Sequence, residues 1–522
     1  MSAYRTSLYF AKSDLPTIPP KASVRKGIWE ALKQIKTTED IKFVENAQNI
    51  VYNDTLIAFS VREIPEESYY LVSFFPYGEN VALWTKRDNM KAMRDVIEFC
   101  DIIGNKVSIV VEEGILHFSR RCLDAKQGID ISDWEVSFPA VNPPEKESLS
   151  TVLENAANTH YKYVLEKVPK GKNFMIFTQT YLGDMKPIEI LKIFLKDFGR
   201  TLGPKSLITA RELGEKFSDK ENSAFIFVEN EKLLESWYRS LKVFFDSQRI
   251  ATQYVLDTTI QQKITRFYGV RANLILEIMT KLGVKPIQLR PPEEIIDSDG
   301  FLCLSSIESA TRRLFGALFT YSREGLEIEE EVQIYPDIEF SVHEETLEIP
   351  SDKVDLLSEK ISKLIGRKIT IDVLLTMEWN RDSVRKLIEN LKKYGIKTNR
   401  VYYVSSKTSR YVDSCLIDGY YQKCVHPYLM IGNTVAFLKS STDVRIYANL
   451  SSIFIKLMWP EDGKLELKDL EKILWLVKKR MYRIQEFYVL KIPEPIHVFK
   501  NVRTMYLGEI KEKLTIPLRL LI

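Results

Sequence analysis

The sequence is short of the residues that most enzymatic chemistries need. Its 522 residues hold five cysteines (100, 122, 303, 415, 424), with no Cys-x-x-Cys and no even framework, so they read as reduced thiols. The five histidines (117, 160, 343, 426, 497) are scattered and make no metal-ligand spacing; His117 reads as an ordinary strand residue. There is no P-loop, no Gly-x-Ser-x-Gly elbow and no His-Glu-x-x-His, which excludes the reactions those motifs support. No apolar run approaches the ~20 residues of a membrane span, and no signal pattern opens the chain. A cytoplasmic protein that does not insert into membranes is therefore expected. Net charge is also slight, +3 from 74 basic and 71 acidic residues, and taken whole it says nothing about a polyanionic partner.

Charge distribution says more. Residues 238–290 carry nine Lys/Arg against three acids, and residues 478–522 carry ten against four, so each window stands at +6. Segregated positive charge is the footprint expected of a groove for a polyanion. With 45% hydrophobic and 11% aromatic residues the chain has ample material for several buried cores.

Patterning divides the chain in three. Residues 1–140 read as α+β: a helix near 24–35, strands at 49–52, 55–61 and 69–75, a helix from an Asp88 N-cap to Ile103, and a hairpin through 107–119. A Pro-rich linker at 139–150 follows. From there to about 290, strands alternate with helices, which implies a parallel, doubly wound sheet whose ligands lie beyond the strand carboxyl ends. From about 291 the rhythm changes to three successive strands, then a helix at 354–365, a strand at 368–377, a helix capped by Asp382 and a strand at 400–404.

The stretch 230–283 reads as an anion pocket. Tyr238 and Lys242, four apart, share a helix face. Gln253 lies on a short strand. Asn273, Glu277 and Lys281 are spaced i, i+4, i+8 on a second helix that Gly283 closes. Ammonium groups supply charge-assisted hydrogen bonds to an anion, while phenol and amide fix its orientation.

The order Tyr-x-x-x-Lys, Ile-x-Thr-Gln and Asn-(x)7-Lys-Leu-Gly resembles the MID domain of Argonaute proteins, which holds the 5′ phosphate of a guide strand. The chain beyond it resembles a PIWI domain, so the likeness covers residues 150–522. The resemblance implies an α/β fold, with a Rossmann-like MID domain (141–290) and an RNase H-like PIWI domain (291–522) after a small α+β N-terminal domain (1–140). It implies a guide 5′-phosphate site at Tyr238, Lys242, Gln253, Asn273 and Lys281. It also implies a Mg²⁺ bridging that phosphate through Gln253 and the terminal carboxylate of Ile522. Glu277 departs from the family pattern, and an acid there is unfavourable unless it pairs with a lysine or a metal.

RNase H-type cleavage needs acids converging on two metal ions. In Gly300-Phe-Leu-Cys303-Leu-Ser305, Cys303 stands where the first carboxylate belongs. Glu378 falls near the second position and Asn501 near the last; Asp297 and Asp299 read as loop residues. Catalytic residues are therefore expected to be absent, and the chain to be no enzyme: a short prokaryotic (archaeal-like) MID–PIWI Argonaute without cutting activity. Such a protein implies a 5′-phosphorylated guide, RNA in preference to DNA, a DNA target and a separate effector protein in antiviral defence. The residues themselves do not decide between RNA and DNA. The N-terminal strands, such as 69–75, are offered either as the effector's dock or as ordinary core. An active guide-directed endonuclease and a scaffold that binds no guide are the alternative readings.

Overall fold

A computed structural model describes most residues within 7–139, 145–177, 189–202, 223–229, 242–258, 268–307, 313–405, 424–439, 452–478, 493–499 and 513–514. Tyr238, Asn501 and Ile522 lie outside the described residues; Asn273 is described only as a position in a helix.

The N-terminal part forms a seven-stranded antiparallel sheet, in the order Ile41–Val44, Asn49–Tyr52, Thr55–Ile64, Tyr69–Pro76, Ser7–Ser13, Gly114–Cys122, Ser108–Val111. Asn53 and Asp54 both take positive φ (46° and 66°), the left-handed pair that a two-residue hairpin turn requires. Helices Lys21–Gln34 and Lys86–Ile103 cover the sheet, closing a core of Trp29, Val61, Tyr70, Val72, Phe74 and Phe99. The second helix starts at Lys86, ahead of the expected Asp88 cap. Residues 69–75, read either as the effector's dock or as ordinary core, present no free edge: that strand pairs on both sides, and Tyr70, Val72 and Phe74 are buried in their own core.

On either side of residue 140, short strands pair outside the N-terminal sheet. Gly128–Asp130 adds to the far end of the large C-terminal sheet, and Glu135–Ser137 pairs with both Lys146–Ser148 and Gln288–Leu289. The segment read as a linker thus contains a strand and leads directly into helix Leu149–Thr159. Composition shows where prolines gather but not which distant strand a short segment will meet.

Four parallel strands follow, in the order Gly199–Leu202, Lys172–Phe177, Ser223–Glu229, Ala251–Leu256. Ala224 through Val228 are all buried, as a strand covered on both faces demands. Helix Tyr268–Lys281 then packs back along Ala251–Leu256.

The large sheet centres on Gly300–Ile307. Arg313–Ser322 and then Val332–Tyr335 lie antiparallel on one side; Ile369–Leu375 and then Ile396–Ser405 run parallel on the other. Ser452–Trp459, Val435–Lys439 and Val425–Ile431 extend it with antiparallel pairing. Gly300 is there for space, because a Cβ would strike the carbonyl oxygen of Phe319 across the pair. Helices Ser351–Ile365 and Arg381–Lys393 cover one face, helix Leu467–Lys478 the other. The expected cap Asp382 is instead a first-turn residue; Asn380 accepts from its backbone N–H at 2.8 Å. One hydrophobic core runs from Phe174, Ile226 and Met279 of the parallel sheet and its helix to Phe301 and Cys303 of the large sheet and Trp475 of helix Leu467–Lys478. Trp475 Nε1 donates to the carbonyl of Leu289, in the strand paired with Glu135–Ser137, at 2.8 Å. Among the described residues no helix is long and apolar enough to cross a membrane.

Candidate nucleic-acid interface

Lys242 is the first described residue of the helical stretch 242–247, Gln253 is the third residue of Ala251–Leu256, and Lys281 ends helix Tyr268–Lys281. The helix runs against the strand, so its last turn returns to the strand's start. The cluster therefore gathers on the amino-terminal half of the strand rather than beyond its carboxyl end, where a doubly wound sheet was expected to hold its ligand. Gly283, at φ 78°, makes the left-handed turn that ends the helix, as expected.

The geometry joins these side chains tightly. Lys281 Nζ donates to Gln253 Oε1 at 2.7 Å and to the Thr252 carbonyl at 3.0 Å. Gln253 Nε2 donates to Glu277 Oε2 at 3.2 Å. Lys242 Nζ sits 3.0 Å from Asp246 Oδ2 and 3.3 Å from Oδ1. Asp246 was not singled out in the sequence, although it lies one turn after Lys242 and is fully buried. Burial, together with the positive charge of Lys242, lowers the Lys281 pKa to about 8, against the opposing pull of Glu277 and Asp246. Two nearly buried ammonium groups and one amide thus face two carboxylates.

This set suits an anion better than a cation. The one neutral oxygen expected to hold Mg²⁺, Gln253 Oε1, already accepts from an ammonium, whereas a hard cation needs several oxygens. Among the described residues no group of three or more His, Cys, Asp or Glu side chains is placed to hold a metal ion.

In the large sheet, Cys303 is fully buried beside Ala317 and Leu374, and burial pushes its thiol pKa well up, away from the reactive thiolate. Ser305 and Thr376 face each other at the carboxyl ends of their strands, hydroxyl to hydroxyl at 2.8 Å. Two residues on, Glu378 accepts from Lys456 Nζ at 2.6 Å. The carboxylate inside the sheet is Asp372, which the sequence reading passed over. It accepts from Ser298 Oγ (2.9 Å), Asn399 Nδ2 (3.1 Å), the Arg400 backbone (3.2 Å) and Lys472 Nζ (2.7 Å). Lys472, wholly buried, also holds Asp297, which lies in the loop before Gly300–Ile307 as expected. Asp299 likewise accepts from the Thr370 backbone at 2.7 Å. Burial raises the Asp372 pKa against the pull of Lys472. Burial works the same way on Asp297, but hydrogen bonding and charge from Lys472 win and hold it below the usual carboxylate range.

No protein-family model matches the chain. In overall architecture it is an α/β protein resembling a set of solved structures along nearly its whole length. The Argonaute of A. aeolicus superposes with a TM-score of 0.56 at 12% identity, covering 99% of this chain and 98% of that one. The Argonaute of Marinitoga piezophila, in complex with 5′-OH guide RNA and target DNA, gives 0.53 at 11%, covering 97% and 98%. Drosophila Piwi gives 0.51 at 9%, covering 100% and 91%. The chain therefore has an Argonaute-like fold.

That likeness corrects one expectation. The chain was read as no enzyme because Cys303 and Asn501 stand where acids belong. Argonautes, however, are typically nucleases, and the chain shares their fold along nearly its whole length. Those sequence positions therefore do not establish an absence of activity.

Proposed function

We propose that the chain is a guide-directed nucleic-acid-binding protein that seats the 5′ end of a guide strand against Lys242, Gln253 and Lys281. The observation that carries this reading is the convergence of two nearly buried lysines on one amide, within an Argonaute-like fold. Buried ammonium groups gain most from an anion, since each charge-assisted bond is worth about 1.5–3 kcal/mol. A terminal phosphate is the anion the site would take, with Tyr238 and Asn273 as further contacts. Sequence would then be read by base pairing, the protein gripping backbone and shape. The RNA guide and DNA target of the Marinitoga complex support the same pairing of strands here.

The test is binding of a synthetic labelled strand, followed by capture of its complement. Capture of a complementary target, and not of a scrambled one, is expected; a protein that binds neither is a scaffold.

Guide-directed cleavage is the second reading, favoured by the Argonaute likeness itself. Glu378, just past Thr376 at the carboxyl end of Ile369–Leu375, is the described acid best placed for it, once released from Lys456. Incubating the loaded protein and target with Mg²⁺ or Mn²⁺ tests it, with Glu378→Gln as the variant that loses any cut. A separate effector and a role in defence against invading nucleic acid rest on the resemblance alone. A pull-down from the native host tests them, and the paired strand Tyr69–Pro76 offers that effector no free edge.

A further inference from the structure

The pocket contains its own anion. Gln253 is held from both ends, its oxygen by Lys281 and its NH₂ by Glu277. Glu277 lies one helical turn before Lys281, so its carboxylate stands over the same amide that an incoming phosphate would use. Asp246 sits on Lys242 in the same cluster. The two lysines and two acids cancel before any ligand arrives, and a terminal phosphate then adds roughly −1.5 to −2 charge to a neutral, largely buried site. The two acids differ in freedom: Asp246 is fully buried, whereas Glu277 and Gln253 are only half-buried. Glu277 is thus the acid that can give way.

We propose that Glu277 is a specificity-determining residue that holds down the preference of the guide pocket for a 5′-phosphorylated over a 5′-hydroxyl strand. It occupies the amide donor and offsets the charge of Lys281, so phosphate binds only by displacing it. A 5′-hydroxyl strand brings no terminal charge and meets no such penalty. This rests on the reading of the cluster as the guide 5′-end site.

The experiment compares two synthetic RNA strands of one sequence, 5′-phosphorylated and 5′-hydroxyl, against the full-length wild-type protein, Glu277→Gln and Lys281→Met. Glu277→Gln keeps the shape and an oxygen that accepts from Gln253, so the fold is retained; a thermal melt matching wild type confirms it. The ratio of the two affinities is expected to rise by about tenfold or more in Glu277→Gln, through tighter binding of the phosphorylated strand, the effect of removing one nearby like charge. Lys281→Met is expected to lower the ratio. An unchanged ratio in Glu277→Gln, with a lowered one in Lys281→Met, overturns the role of Glu277 and leaves the pocket standing. No change in either variant overturns the pocket as well.

Discussion

Lys281 and Lys472 are both buried among carboxylates, and they differ in what surrounds them. Lys472 is wholly buried between Asp297 and Asp372, and the second of these is closed off by Ser298, Asn399 and the backbone of Arg400. Each Asp372 oxygen accepts from two internal donors, and the cluster pins helix Leu467–Lys478 to the large sheet. Lys281 instead shares a half-buried amide with a half-buried acid, beside a second lysine. Its partners are exchangeable, and burial has already loosened its proton. The first arrangement is a lock and the second is a seat, although both are lysines on a helix.

Breaking the lock should have the largest effect. Lys472→Met leaves two carboxylates without their cation and is expected to cost about 3–5 kcal/mol, read as a lowered urea midpoint. Adding Asp372→Leu should recover part of that loss, because the uncompensated charge goes with it.

Emptying the seat should act on binding instead. Lys242→Met with Lys281→Met removes two charge-assisted contacts of about 1.5–3 kcal/mol each. A loss of at least about a hundredfold in affinity for a 5′-phosphorylated strand is expected in a titration, with a smaller shift in urea midpoint than Lys472→Met produces.

The pH dependence sharpens the contrast. The folded pKa of Lys281, about 8, lies below its ordinary 10.5, so between these values the unfolded chain binds the extra proton. Burying the charged amine therefore costs stability in full below about pH 8, and the cost is relieved as pH rises toward 10.5. An arriving anion favours the protonated form, so affinity for the phosphorylated strand should fall as pH rises from 7 to 9. That slope should flatten in Lys281→Met. The acids Glu277 and Asp246 and the cation Lys242 face the same group.

The smallest effect belongs to a residue outside both clusters. Asn380→Ala removes one helix cap and should cost about 1 kcal/mol, with guide affinity unchanged in the same titration.

Much of this was legible in the sequence, for local reasons. The spacing of Lys242, Gln253 and Lys281 around a strand and a capped helix brought three side chains to one place, because helix and strand periods are fixed over short separations. The three antiparallel strands followed by crossovers were visible as apolar runs between turn residues. What escaped were partners set by tertiary pairing. Asp372 sat inside an apolar run and looked like an interruption; only the parallel register puts it beside Asn399 and the helix bearing Lys472, a hundred residues on. Gly128–Asp130 joins a strand nearly three hundred residues away, which no local pattern announces. Asp246 was within reach, since i, i+4 from Lys242 predicts the pair, but it was counted only as a charge. The basic window at 478–522 falls mostly outside the described residues.

The most direct test of the guide seat is photocrosslinking from the first nucleotide. A 5′-phosphorylated RNA with 4-thiouridine at position 1 would be bound to the full-length protein, irradiated, and the adducts mapped by mass spectrometry. Crosslinks confined to peptides spanning 238–256 and 268–283, and lost in the Lys242/Lys281 double variant, are the predicted result. Adducts on the N-terminal sheet, or a pattern unchanged when the thiouridine is moved to the 3′ end, would contradict it.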